Sequence, residues 1–429
     1  MFRRVPLILL GFASVGLALG LLPDPGKTVA ILLPSDGVPP DNASGNPVIA
    51  SSGRVVAFLS RATNLIAGDT DSVRDVVVVD LAKGSSECVS VSSAGVKADG
   101  DCSDIALDRK GRTVAFASLA TNLVENDGNG MQDVFVRDRT TGETLRVSVT
   151  SDGNEADGDS DHPALTCDGR RVVFASYATN LAPQDTNDAS DIFLHDLQTG
   201  ETTRISVAFN GAQAGGGSFL PEISANGRFV AFMSYAGNIV PNDQNPSRDV
   251  FVRDLKTGQA EIVSVSSEGD APHAPSGAVA MSANGRWLAF ESDAGSLDGD
   301  DLWAGADVFL RDRKLGTTTL ISRPAPGKLT TGDSFSPAIS GNGRWALFTS
   351  VSTKVVADDD NGVADVFRCD LKTGKTTRVS VSSEGAEGDG DSVEGRISRN
   401  GRYVVFSTRA DDLVAGTTNG VPVVVLARP

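Results

Sequence analysis

Five loops of this 429-residue chain share one spacing of oxygen-bearing side chains, Asp-x-Asp/Asn-x-x-x-Asp. They read Asp69, Asp71 and Asp75; Asp127, Asn129 and Asp133; Asp185, Asn187 and Asp191; Asp243, Asn245 and Asp249; and Asp359, Asn361 and Asp365. Oxygen ligands at alternate positions of a turning loop are what Ca2+ takes, so calcium is the one cofactor the sequence offers. No third alternate carboxylate follows and no distal Glu completes the set. The same residues therefore also suit a second role, capping turns and satisfying loop amides, and the two roles do not exclude each other. A sixth loop keeps Asp301 and Asp307 but has Trp303 between them, and a seventh reads Thr417, Asn419 and Val423. Trp303 on a polar loop is either a binding anchor or a cover for the gap left by the shortened pattern.

Residues for catalysis are sparse. His162, His195 and His273 are the only histidines. They fall in different repeats with no metal-ligand spacing between them, the first and last being read as loop residues and His195 as a strand residue. Gly158-Asp159-Ser160 and Gly332-Asp333-Ser334 resemble a hydrolase nucleophile. Ser recurs in that slot at Ser44, Ser160, Ser218, Ser276, Ser334 and Ser392, with Cys102 in the remaining copy. A nucleophile is needed once; a hydroxyl needed in every copy is structural. Neither a Gly-x-Ser-x-Gly elbow nor a Gly-rich phosphate loop is present. No residue is assigned a catalytic role.

The elements that position these loops follow from the period. A Gly-Arg pair begins at Gly53, Gly111, Gly169, Gly227, Gly285, Gly343 and Gly401, each 58 residues after the last. Each unit reads as four strands. In the second unit these are placed near Asp104–Asp108, then at Thr113–Leu119, Asp133–Asp138 and Thr144–Ser151. Asn-Gly and Thr-Gly pairs supply the tight turns that need positive φ. Runs such as Val134-Phe135-Val136 are apolar on both faces, which suits a sheet sandwiched between sheets. Seven antiparallel four-stranded units make an all-β, seven-bladed β-propeller over residues 27–429. The last unit ends just after its third strand. Lys27-Thr28-Val29-Ala30-Ile31-Leu32-Leu33 aligns with Lys375–Val381 and is expected to supply the missing fourth strand, closing the ring.

Ile223-Ser224-Ala225-Asn226-Gly227-Arg228-Phe229-Val230-Ala231-Phe232, followed by Asp249-Val250-Phe251-Val252-Arg253-Asp254, resembles the WD40-like (PD40) repeat of TolB-type propellers. The resemblance covers nearly everything after residue 22 and implies a propeller that binds a protein or ligand without chemistry of its own. The sequence departs from TolB in having no separate α/β domain before the propeller. Its unit is also longer than the usual blade of about 40–45 residues. The surplus lies in the two connections that share one rim of an up-and-down propeller, so that rim is built of long acidic loops, where function usually sits. At the other rim, Arg after each Gly should pair with the Asp that ends the third strand: Asp80, Asp138, Asp196, Asp254, Asp312 and Asp370.

A net charge of −17 argues against nucleic acid and anionic membranes as partners. Residues 1–22 read as a secretory signal or an uncleaved anchor: Met1-Phe2-Arg3-Arg4, an apolar run from Val5, and Ala18-Leu19-Gly20 as a cleavage site. The folded part is thus expected outside the cytoplasm, as a monomer, with contact to a membrane only through that segment. Cys88, Cys167 and Cys369 are read at one end of their strands and Cys102 in a loop at the opposite end, so all four thiols are expected unpaired. The leading functional reading is an exported, non-enzymatic scaffold whose acidic loop face takes a protein, a glycan or Ca2+. Its rival is a Ca2+-dependent hydrolase or lyase using the same carboxylates.

Overall fold

The computed structural model describes residues 22–31, 40–241, 243, 245, 247–301, 305–328, 331–414 and 420–429. The leader up to residue 21, the far end of the closing strand (Leu32 and Leu33), Trp303, Thr417 and Asn419 lie outside the described residues. The chain forms seven four-stranded antiparallel sheets, with no helix among the described residues. Blade 1 runs Ser44–Ile49, Val55–Ser60, Asp75–Asp80 and Ser85–Cys88, and the later blades repeat that order. In blade 7, Lys27–Ala30 pairs antiparallel with Val423–Arg428, Lys27 opposite Arg428 and Ala30 opposite Val425. The ring is therefore closed by the N-terminal strand, as its sequence requires.

Blades cohere through faces that are apolar on both sides. Each of the seven core clusters draws on two adjacent blades, for example Val76, Val78 and Val89 of blade 1 with Val114, Phe116 and Phe135 of blade 2. Paired phenylalanines from the second and third strands fill five of the blades, among them Phe116 with Phe135 and Phe348 with Phe367. The repeated Gly of the first turn has φ between 68° and 74° in every blade. It also packs on the blade before it: a Cβ on Gly401 would come within 2.2 Å of Trp345, and one on Gly111 within 2.5 Å of Val55. Only Gly satisfies both demands.

Two strand boundaries differ from the sequence reading. The innermost strand of blade 2 begins at Cys102 rather than near Asp104, and the outer strand is only Glu143–Arg146. Beyond Arg146 the chain leaves the ladder because Ser148 turns its hydroxyl onto Asp133, while Val149 makes an isolated bridge to Glu155. The repeated first-strand Ser proves structural. Ser160 bonds Ser176 at 2.8 Å and Ser334 bonds Ser350 at 3.0 Å, with the Cys102 thiol on Ser118 in the odd blade.

At the short-turn rim, the expected Arg–Asp pairs form in five blades, at Arg112–Asp138, Arg170–Asp196, Arg228–Asp254, Arg286–Asp312 and Arg344–Asp370. In blade 1, Asp80 pairs instead with Lys83, three residues along its own turn. All four cysteines are free. Cys88, however, sits at the long-loop end beside Asp75 and Ser90, and Cys102 is a strand residue in the same neighbourhood, reaching the same Ser90. The two are not at opposite ends of the ring: an outer strand runs toward the long-loop rim, from which the next innermost strand starts.

Candidate functional site

The third strand of each of the first six blades opens with a buried Asp at the long-loop rim. It is anchored within its own blade, since a Ser of the segment after the outer strand donates to it: Ser90 to Asp75 at 2.8 Å, Ser148 to Asp133 at 2.5 Å and Ser264 to Asp249 at 2.6 Å. The same Ser oxygen accepts the next backbone amide, as in Val134 N to Ser148 at 3.1 Å. The two long connections then fold onto each other, Gly128 N donating to Glu155 at 3.0 Å.

Among the described residues, two carboxylate groups of metal-ligand geometry result. Asp69, Asp71 and Asp75, and likewise Asp127, Asp133 and Glu155, bring oxygens within 4.8 Å of one another. In both, a basic side chain of the same blade already occupies the centre. Lys97 contacts Asp69, and lies 2.7 Å from Asp71 and 2.8 Å from Asp75. Arg146 Nη1 lies 2.5 Å from Glu155 and 3.3 Å from both Asp127 and Asp133. Arg204 takes this place in blade 3, against Asp185 and Asp191, with Gln213 as a further donor. Arg378 does so in blade 6, against Asp359, Asp365 and Glu387. Burial opposes the charge on Lys97, yet its three carboxylates hold the ammonium above its ordinary range. Burial, then the neighbouring acid, pushes Asp127 and Asp359 up to about 6.

The remaining blades break the pattern. In blade 4 the Arg and Glu slots hold Ile262 and Ala271, and no basic group reaches Asp243 or Asp249 among the described residues. In blade 5 the Arg slot holds Leu320, Arg323 beyond it pairs with Asp298 and Asp300, and burial pushes Asp307 up to about 7.

The central channel carries a second set of polar groups that the sequence reading missed. A cavity of about 400 Å3 is lined by Asp104, His162, Glu222, Ser336 and Arg396, with apolar neighbours from every innermost strand. Each innermost strand has a bulge, and in six blades a non-glycine residue there takes positive φ: Asn46, Asp104, His162, Leu220, Ser336 and Glu394. Bulges re-aim side chains, and such strain clusters where a ligand is held. The available signal was Pro47, Pro163, Pro221 and Pro337, each directly after one of these residues, because Pro inside a strand marks an edge or a bulge.

His162 is thus a strand residue, not a loop residue. Its Nδ1 lies 2.8 Å from Asp161 and its Nε2 3.9 Å from Asp104. Burial works against the imidazolium, but these two carboxylates raise the His162 pKa overall. Crowding by the channel wall pushes Glu222 up to about 7, with Arg396 opposing. His195 is a core residue, bonded to Thr202 at 2.9 Å, with its pKa lowered by burial against the opposing charge of Asp196.

A third symmetry break lies on the long-loop rim of blades 3 and 4. Tyr177 and Tyr235 directly follow the second strands and are 49% and 54% exposed. Phe219 stands between them, its centroid 6.2 Å from one ring and 6.3 Å from the other. The equivalent slots of other blades hold Arg61, Leu119, Asp293, Val351 and Arg409.

No known family matches the sequence, and no curated protein is similar to it. Solved structures share its fold. An oligogalacturonate lyase in complex with manganese is 14% identical, with a TM-score of 0.56 over 94% of this chain and 98% of that one. The β-propeller domain of the Trilobed protease from Pyrococcus furiosus is 11% identical, with a TM-score of 0.56 over 90% of this chain and 94% of that one. That domain has an open velcro topology, whereas here the ring is closed by Lys27–Ala30. A putative TolB from Agrobacterium tumefaciens is 16% identical, with a TM-score of 0.41 over 65% of this chain and 80% of that one.

Proposed function

We propose that this chain is an exported, non-enzymatic propeller that binds a protein or an uncharged glycan on its long-loop rim, with Tyr177, Phe219 and Tyr235 as the contact platform. The observation that carries this reading is an aromatic triplet, two exposed tyrosines flanking the half-buried Phe219, on a rigid scaffold and confined to two blades of an otherwise repetitive ring. Rigid amphipathic rings give large contact area at low entropic cost. The acidic clusters support the same reading, because those filled by Lys97, Arg146, Arg204 and Arg378 are self-contained within single blades and do not converge on a common centre. A strongly negative chain is also a poor host for a polyanion. The leader-like residues 1–22 support export.

The test is a screen of neutral and anionic oligosaccharides and of envelope proteins, run with the wild type and Tyr177→Ala/Tyr235→Ala. A neutral glycan or a protein bound by the wild type should lose about tenfold or more in affinity. Equal binding by both proteins would remove the platform from the account.

A second reading is a lyase working in the channel, where Glu222, His162 and Arg396 line one cavity. A lyase needs a base for the departing proton and positive charge beside the acid group of the sugar. If it holds, oligogalacturonate incubated with the protein and Mn2+ gives an unsaturated, ultraviolet-absorbing product, lost in His162→Ala and Glu222→Gln. No product from the wild type would reject it.

A further inference from the structure

Sister blades provide the control for reading blade 4. Its loop keeps all three residues of the pattern, Asp243, Asn245 and Asp249, but not the cation that fills the same place elsewhere. Asp249 is 0% exposed and Asn245 is 8% exposed. Asp249 Oδ1 accepts from Ser264 at 2.6 Å, as in the other blades. Asp249 Oδ2, Asp243 Oδ1 and Asn245 Nδ2 are all buried without a hydrogen-bond partner among the described residues. In blade 2 the corresponding Asp133 Oδ2 receives Arg146 at 3.3 Å and Asn129 at 3.1 Å, and Asn129 also bonds the Ala156 carbonyl at 3.0 Å.

Carboxylate oxygens buried without a cation are costly, since Asp243 Oδ1 and Asp249 Oδ2 lack both water and a partner. Burial accordingly pushes Asp249 up to about 6; the nearby Asn245 amide tempers this without reaching hydrogen-bond geometry, and Asp243 adds to it. Blade 1 shows that the position tolerates a change in how the cation is supplied. There Cys88 stands in the Arg slot and Lys97 in the Glu slot, so the positive charge comes from the other loop and reaches the same carboxylates. Blade 4 has given up both slots while keeping the acids.

We propose that blade 4 binds a divalent metal ion of the hard, oxygen-preferring class, Ca2+ or Mn2+, in the place its sister blades give to an arginine or lysine. Asp243 Oδ1 and Asp249 Oδ2 are its ligands, and rotating the Asn245 amide by half a turn offers a third oxygen. Such ions take their remaining ligands from backbone carbonyls and water. Among the described residues, this is the one of the five motif loops whose carboxylates meet no internal cation, so the sequence pattern marks a fold device in most blades and an ion site in one. This inference does not depend on the aromatic platform; it concerns a different set of residues.

The experiment uses the full chain, stripped with chelator and titrated with Ca2+ and with Mn2+ by calorimetry, alongside two variants. Ile262→Arg/Ala271→Glu rebuilds the blade 2 cluster and should fold with an internal guanidinium in the site; Asp249→Asn removes a ligand. The expected result is binding by the wild type, one bound equivalent fewer in Ile262→Arg/Ala271→Glu, and affinity about tenfold weaker or worse in Asp249→Asn. The melting temperature should rise with metal in the wild type, and this site's share of the rise should vanish in the rebuilt variant. No binding by the wild type, or the same stoichiometry and affinity in Ile262→Arg/Ala271→Glu, overturns the proposal. Should Asp249→Asn fail to fold, the rebuilt variant still decides, because it removes no acidic group.

Discussion

Removing Lys27–Ala30 is expected to be the most damaging small deletion in this protein, lowering stability by about 4 kcal/mol or more. Those residues occupy a full ladder with Val425–Arg428, extended by Gly26 N to Arg428 O at 2.7 Å and Ile31 N to Val424 O at 3.1 Å. They also bind blade 6, since Thr28 Oγ1 donates to Val381 O at 2.8 Å and Ser383 Oγ donates to Thr28 O at 3.2 Å. Thr144, Thr202 and Thr318 make the corresponding bonds to Val91, Val149 and Val265 in the blades where the chain is continuous. The deletion therefore exposes a strand edge and removes contacts to blade 6 from the one blade whose outer strand is joined to its third strand by no covalent turn. Thermal or chemical unfolding of the deleted chain checks this. A melting temperature within a degree or two of the wild type would contradict the closure argument.

Arg146→Met is expected to cost about 3–5 kcal/mol, the range for removing one partner of a buried ionic cluster. Arg146, Asp127 and Asp133 have side chains that are nearly inaccessible, so the two aspartates cannot recruit water freely once the guanidinium is gone. The loss should depend on pH, and its sign is fixed. Without the guanidinium, the folded-state pKa values of Asp127 and Asp133 rise further above their unfolded values. Between the unfolded and folded pKa the native state then holds protons that the unfolded state does not, so stability increases as pH falls. The penalty should be largest near neutral pH and shrink toward pH 5. Denaturant titrations at both pH values check it; a small, pH-independent loss would mean that the cluster is solvated.

The period of 58, the closing strand and the two unequal rims were all legible before any coordinates, because each is carried by residues that repeat: Gly with positive φ, Asn-Gly and Thr-Gly turns, and apolar strands. The acidic motif was legible too, but its filling was not. Reading along the loop from Asp127 to Asp133 stops before Arg146, which belongs to the next strand and reaches back across the blade. The signal existed in the comparison of repeats, where Arg146, Arg204 and Arg378 share a slot and Cys88 with Lys97 exchange roles. The channel groups were hidden for another reason. A bulge shifts which side chains face inward, so alternation counted from the strand ends places His162 and Asp104 wrongly; only the prolines after the bulged residues hint at it.

The strand pairing that seals the ring has an orientational consequence. Lys27 and Arg428 face each other across one sheet, and both stand at the rim of short turns, because an outer strand starts there and a third strand finishes there. The polypeptide thus comes in and goes out through the same side of the toroid. A tether at either terminus, whether a retained apolar leader or a fused domain, would hold the protein by its back and turn Tyr177, Tyr235 and the blade 4 acids outward, toward whatever approaches from solution.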